Sequence, residues 1–394
     1  MTLKATPLLL NIGHALDHMF LLIFATAVVA IAAEFGFNRW EDLMPYSVGA
    51  FLMFGLGSVP SGRLGDLWGR RRMMIVFFFG MGAAAMLVAL AQGVWQLALA
   101  LTLLGAFSSI YHPVGIPMLV QRSQNPGLTI GTNGLAGNLG IAVSAILTGL
   151  LVKYYGWRLA FVVPGLVCML CGWLFVRTTP VETEAPAKRT TKSVVSLPPS
   201  LMARVFVVMT LTATSGSLLF NFTTNGNGQL LRERLDGIVT DPATLGLLLG
   251  AVYTVASFAQ IIVGRLIDRF PLKGIYLTIV LLQIPLFAAA ALSKGWTMFF
   301  LQVAFMAVVF GAIPFTDAMI VRYVDDSLRS RVSGMRLAVS FGISSLAVWA
   351  LGPVVKSAGF ETLLFAMAGI ALCTAGCVLL LPSQPRVVVA AEPA

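Results

Sequence analysis

Charge is what this sequence has least of. Only 11% of its 394 residues are Asp, Glu, Lys or Arg, where a soluble domain carries roughly a quarter. That shortage excludes an ordinary globular domain. Histidine is scarcer, with three in the chain, and cysteine stops at four. The cysteines fall in two pairs, Cys168/Cys171 and Cys373/Cys377, inside apolar stretches. There they read as small apolar residues rather than as a redox or metal motif. No P-loop is present, so the chain is not expected to use ATP itself. A cleavable signal peptide is not apparent either, because the first apolar stretch is too long and polar residues interrupt it.

What is present is apolar sequence, 58% of all residues. Runs of the ~20 residues that cross a bilayer recur along the whole length. Twelve spans are read at about 7–33, 43–62, 73–92, 94–120, 128–152, 158–177, 203–226, 243–264, 274–293, 296–321, 332–355 and 361–381. With these spans, the side holding both termini carries 19 Lys and Arg and the other side 7. The excess marks the terminal side as cytoplasmic. The net charge of +10 is therefore topology, and no nucleic-acid partner is expected.

Residues 178–200, TTPVETEAPAKRTTKSVVSLPPS, form the one long polar stretch. They read as a cytoplasmic linker between halves 1–177 and 201–394. GRLGDLWGRRR begins at Gly62 and GRLIDRFPLKG at Gly264, each after an even-numbered span of its half. Arg122 and Arg322 likewise close spans four and ten. Such a parallel repeat places a substrate path between the halves, near the midplane. The first of these loops resembles the signature between spans two and three of the major facilitator superfamily, through Gly62, Asp66, Gly69, Arg70 and Arg71. GWRLAF, from Gly156 to Phe161, is also similar to that superfamily. The resemblance implies an all-α membrane protein, with twelve transmembrane helices in two pseudo-symmetric six-helix bundles.

Mechanically, Gly62 and Gly69 allow close approach and a tight turn. Asp66 can face the positive end of a neighbouring helix, and the arginines can clamp groups across the seam. Gly62, Asp66, Gly69, Arg70, Arg71, Gly264 and Asp268 are therefore candidate parts of a conformational gate. Asp317, with Arg336 or Arg322 as a partner, is another. A topology anchor or a snorkelling end charge is the alternative.

IGHALDHMF places His14, Asp17 and His18 on one face of span one. The third histidine, His112, follows in AFSSIYHPVG of span four. Counting ~1.5 Å per residue from span centres near 19 and 108 puts His14 and His112 at similar depth, ~6–8 Å towards the terminal side, as expected of neighbours across the cavity. A proton relay, a divalent-metal site and a helix-locking hydrogen-bond network all fit such a group. Intramembrane ionisable residues mark transport pathways by default, which favours the relay with Asp17 as proton carrier. HALDH has the spacing of a zinc protease, but Ala15 stands where the general base belongs. Enzyme chemistry is not expected.

The span-one pattern, SS-[aromatic]-H-P in span four and GNLG in span five resemble the fosmidomycin-resistance-type exporter branch. His14, Asp17, His18, Ser108, Ser109, Tyr111, His112, Pro113, Gly137, Asn138 and Gly140 carry that likeness. The chain departs from the branch at Val114, where an acid is usual, and in the Asp17-His18 pair. It also lacks the span-four arginine of many drug exporters, having Leu101 to Ala106 there. Gly137, Asn138 and Gly140 are expected to pack helices. Asn221 and Asn225, in a Ser/Thr-rich span seven, are candidate cavity residues beside Ser108 and Tyr111.

The reading is a secondary transporter of the bacterial inner membrane, exporting small, partly apolar molecules in exchange for protons. It is expected to act as a monomer, without cofactor or resident metal. Uptake of a metabolite by symport, transport of a divalent metal and a receptor without transport are the alternatives. No Lys or Arg sits near the middle of spans one, four, seven or ten, so a fixed cation for carboxylates is expected to be missing.

Overall fold

The computed structural model describes residues 2–121, 123–183, 199–324 and 326–381. Arg122 and most of the 178–200 linker lie outside the described residues. What is described is helix joined by short connections. A bilayer leaves no other open choice, since every backbone N–H and C=O within it must be paired internally.

Eleven described helices are long and apolar enough to span a membrane. They are Ala5–Glu34, Trp40–Trp68, Arg70–Ala89, Val94–Val120, Pro126–Tyr155, Trp157–Thr178, Ala203–Arg234, Ala243–Arg269, Leu272–Leu292, Gly295–Ile320 and Ser330–Leu379. The first ten are spans 1–10. The last breaks at Gly359, whose φ of 74° and ψ of 169° reverse the chain, a conformation glycine adopts without a Cβ penalty. Its arms, 330–358 and 360–379, are spans 11 and 12, which makes twelve crossings. Large apolar side chains such as Leu99, Leu166, Phe300 and Leu346 stay exposed on the outer surface. Exposed Trp95, Tyr154, Tyr155 and Trp296 stand at span ends, as interfacial aromatics do. The protein is an integral membrane protein.

Span 7 runs further than expected, to Arg234 rather than to about 226. Gly226, Asn227 and Gly228 look like a turn in sequence, but tertiary packing overrides their low helix propensity. An added Cβ on Gly226 would meet Leu351 at 3.4 Å, and Gln302 Nε2 donates to the Asn227 carbonyl at 3.2 Å.

The packing repeats between halves. Span 1 lies on span 5 as span 7 lies on span 11, and span 2 on span 4 as span 8 on span 10. Two further pairs cross between the halves, span 2 with span 11 and span 5 with span 8. These crossings are close because the facing residues are small. A Cβ on Gly62 would strike the Ser330 carbonyl, and one on Gly264 would lie 2.7 Å from that of Gly127.

Both ends of this seam are tied. On the terminal side, Asp66 accepts from the Arg331 N–H at 3.0 Å. Asp268 accepts from the N–H groups of Gly127 and Leu128 at 3.1 and 2.9 Å. Asp268 thus sits at the N-terminal end of span 5, where the helix dipole favours negative charge, whereas Asp66 meets span 11 in the second turn of a helix that begins at Asp326. At the far end, Lys356 meets Asp42 at 3.2 Å and Lys153 meets Asp241 at 3.4 Å. The Thr244 backbone N–H, followed by its hydroxyl, holds the Asp241 carboxyl below the usual range.

Candidate functional site

His14, Asp17 and His18 are buried and grouped as their spacing requires. Span 4 reaches them through a widened π-helical turn, Tyr111–Gly115. Pro113 sits inside it, and a ring without an N–H disfavours the regular α ladder there. The turn carries Tyr111 and His112 inward. His112 lies against His14 with ring centroids 5.0 Å apart, and Tyr111 stacks on His14 at 4.7 Å. His112 therefore shares the wall of His14 and Asp17, rather than facing them across the cavity.

The hydrogen bonds fix much of the proton arrangement. His14 Nδ1 lies 2.7 Å from the Asn133 carbonyl, which can only accept. The proton is thus on Nδ1, leaving the neutral ring's Nε2 bare. His18 Nε2, 3.1 Å away, must donate to it. His112 Nε2 then approaches His18 Nε2 at 3.4 Å and Asp17 Oδ2 at 3.8 Å. Asp17 Oδ1 accepts from the Ser108 hydroxyl. Asp17 Oδ2 and His18 Nδ1 remain buried without a hydrogen-bond partner. Unpaired polar atoms of this kind are costly in a dry interior. One further cation placed among them would relieve that cost.

Asn133 holds the group from behind and was not anticipated in the sequence. Its Nδ2 donates to Asn11 Oδ1 and Tyr111 Oη, both at 2.8 Å, while Tyr111 donates to the Leu10 carbonyl at 2.7 Å. Gly137 makes room for the His14 ring, 2.7 Å from where its Cβ would stand. Gly140 lets span 5 touch the Ala15 carbonyl. Asn138 is buried, with neither side-chain atom hydrogen-bonded. Ser109 turns away to Ser61 at 3.1 Å.

His18 and His112 open on a cavity of about 90 Å³ between the halves. Span 7 lends it Thr212, Ser217 and Phe220, and Phe341 of span 11 closes one side. Asn221 and Asn225 do not line it. Their side-chain amides donate to the span's own carbonyls of Ser217 and Asn221, and Asn225 borders only a small void beside His18. Asp317 and Arg336 do line it, joined at 2.9 Å. The expectation that a fixed cation is missing is therefore corrected. Span 11 supplies one that depth-counting on spans 1, 4, 7 and 10 could not see.

The candidate gate residues divide. Gly62, Asp66, Gly264 and Asp268 lie at the seam itself. Arg70, fully buried, donates to Ser330 Oγ at 3.2 Å and to the Pro117 carbonyl at 3.3 Å. Gly69 turns the chain with φ of 103°. Arg71 donates to the Thr179 and Val176 carbonyls at 2.9 and 2.8 Å, binding span 3 to the end of span 6 within one half. The nearest ring nitrogens of His14, His18 and His112 all fall within 4.8 Å of one another, so the set could also hold a metal ion.

Comparison with known proteins agrees with this architecture. Residues 10–230 match the family model described as Major Facilitator Superfamily. The chain is 22% identical over 354 residues to multidrug resistance protein MdtG of Citrobacter koseri, covering 88% of this chain and 86% of that one. It is 33% identical over 147 residues to a probable actinorhodin transporter of Streptomyces coelicolor, covering 36% and 25%. The solved human organic anion transporter MFSD10 (TETRAN) has the same fold, with TM-score 0.73 at 13% identity over 95% of this chain and 99% of that one.

Proposed function

The chain belongs to the major facilitator superfamily and is a membrane transporter, not an enzyme, and on that premise we propose that it exports small, partly apolar molecules in exchange for protons. The names of the MdtG and actinorhodin relatives support export. The Asp17 site supports proton exchange, and it carries the reading. A fully buried carboxylate, with one oxygen making no hydrogen bond, is connected through His112 and His18 to the cavity between the halves.

The cycle follows from wetting and drying. When the cavity opens to the side away from the termini, Asp17 takes a proton and the substrate leaves. When it opens to the terminal side, the proton leaves and substrate binds. The imidazoles pass the proton between Asp17 and the cavity, since each ring can gain a proton at one nitrogen and lose it at the other. Asp66 and Asp268 hold the terminal side shut between those openings. Residues 1–177 and 201–394 are the moving halves and 178–200 the link between them. The 19-to-7 charge count supports cytoplasmic termini in a bacterial inner membrane.

A thermal-shift screen of purified protein against drugs, sugars, organic acids and divalent ions identifies ligands. Each ligand is then tested in proteoliposomes with an imposed pH gradient. Concentrative movement of a drug-like ligand against the proton gradient is expected, insensitive to chelators. Movement that needs a divalent ion, or none driven by the pH gradient, would overturn the proposal.

A further inference from the structure

Arg336 is the part of the cavity that the proton reading leaves unused. Its side chain is 9% exposed and that of Asp317 10%, so the pair is held almost dry. The contact is lopsided. A guanidinium offers five N–H donors, and here Nη2 alone meets Asp317, at Oδ1. Nε is buried with no hydrogen-bond partner. Among the described lining residues no other arginine or lysine occurs, and Asp317 is the only acid. The cavity therefore holds a surplus of charged donor over acceptor.

We propose that Arg336 recognises an acidic group on the transported molecule, so that the cavity takes small amphiphiles carrying one carboxylate. The inference rests on the reading that this cavity is the substrate's. The chemistry is asymmetric between guests. An anion adds an acceptor to the open edge of a guanidinium whose ion pair can remain intact. A cation would have to draw Asp317 away, stranding a buried guanidinium that cannot shed its proton. The remaining walls, among them Ala213, Phe220, Val309 and Phe341, suit an apolar body beside the acid. A cavity of about 90 Å³ limits the guest to a small body. Asp317 keeps the guanidinium paired when the cavity is empty and, as a like charge beside it, weakens the hold on an acidic guest.

The test compares three probes that differ only in the polar end: phenylacetate, phenylacetamide and phenethylamine. Binding to the purified full chain is read from concentration-dependent thermal stabilisation, with no membrane gradient. Phenylacetate is expected to bind at least about ten times tighter than the other two. Arg336→Gln should weaken it by about ten- to a hundredfold, the loss of a hydrogen bond to a charged group, and leave the amide unchanged. Asp317→Asn should tighten it, because the like charge beside the guest is gone. A role limited to holding spans 10 and 11 together predicts weaker binding in both variants, the opposite result for Asp317→Asn. If Arg336→Gln does not fold, Arg336→Lys and Asp317→Asn decide the matter. No preference for the carboxylate over the amide up to its solubility limit, or weaker phenylacetate binding in Asp317→Asn, overturns the proposal. Because the assay involves no proton gradient, its failure leaves proton exchange standing, and a failure of proton exchange leaves it standing.

Discussion

Replacing Asp66 by Ala removes the acceptor for the Arg331 N–H and the carboxylate 3.8 Å from buried Arg70. A buried hydrogen bond to a charged group is worth about 1.5–3 kcal/mol. Lost only from states closed on the terminal side, that energy raises the population open there by roughly 10- to 150-fold. Asp66→Asn keeps an acceptor and loses the charge, so about half the energy should go. Asp268 is exposed and acts as an ordinary helix cap, worth about 0.5–2 kcal/mol, so Asp268→Ala should shift the ratio by only about 2- to 30-fold. The ion pairs at the far end are surface contacts and oppose these shifts little. Spin labels at Arg63 and Arg269, both exposed on the terminal side, report the opening through the distance between them in a cysteine-free background. The long-distance fraction should rise in the order Asp268→Ala, then Asp66→Ala, with Asp66→Asn below Asp66→Ala. An unchanged distribution in Asp66→Ala, or a larger effect from Asp268→Ala, would refute the capping argument.

Two glycines of span 5 should respond with opposite signs. Gly140→Ala drives a Cβ into the Ala15 backbone carbonyl and should lower the melting temperature, at an overpacking cost of about 1–3 kcal/mol. Gly149→Ala meets nothing within 4 Å and should raise it slightly, by roughly 0.5–1 kcal/mol; equal shifts would contradict the packing. Asn133→Leu keeps the His14–carbonyl bond but cuts the ties to Asn11 and Tyr111. It should move the pH dependence of transport more than substrate affinity, and an unaltered pH profile would make Asn133 a packing residue only. A cysteine at Ser193, in a background without the native four, should resist an impermeant thiol reagent in intact cells. Ready labelling there would reverse the orientation.

The fold was legible because a bilayer-spanning helix needs little beyond a long apolar run, and twelve such runs are present. Where local propensity opposed packing, sequence reasoning stopped short, as at Gly226-Asn227-Gly228 of span 7. The histidine cluster was legible for a geometric reason. Spacings of three and four set His14, Asp17 and His18 on one face, and rise per residue placed His112 at their depth. Which wall it occupies was not, because the π-helical turn at Pro113 rotates the side chains of span 4 by an amount that depth alone does not encode. Asn133 carried a weak signal, an amide in an apolar helix a little over one turn before Asn138. Arg336 stood near the end of span 11, where an arginine ordinarily snorkels to the interface. Only the position of Asp317 beside the cavity shows that it turns inward.

Asp17→Asn tests proton exchange most directly. Asparagine keeps the size of the side chain and an acceptor for Ser108, but holds the site in a form that resembles the protonated acid. With a ligand found by thermal shift, reconstituted Asp17→Asn should bind it and exchange it across the membrane with no gradient. Transport driven by an imposed pH gradient should be lost. A full response to that gradient in Asp17→Asn would remove Asp17 as the proton carrier.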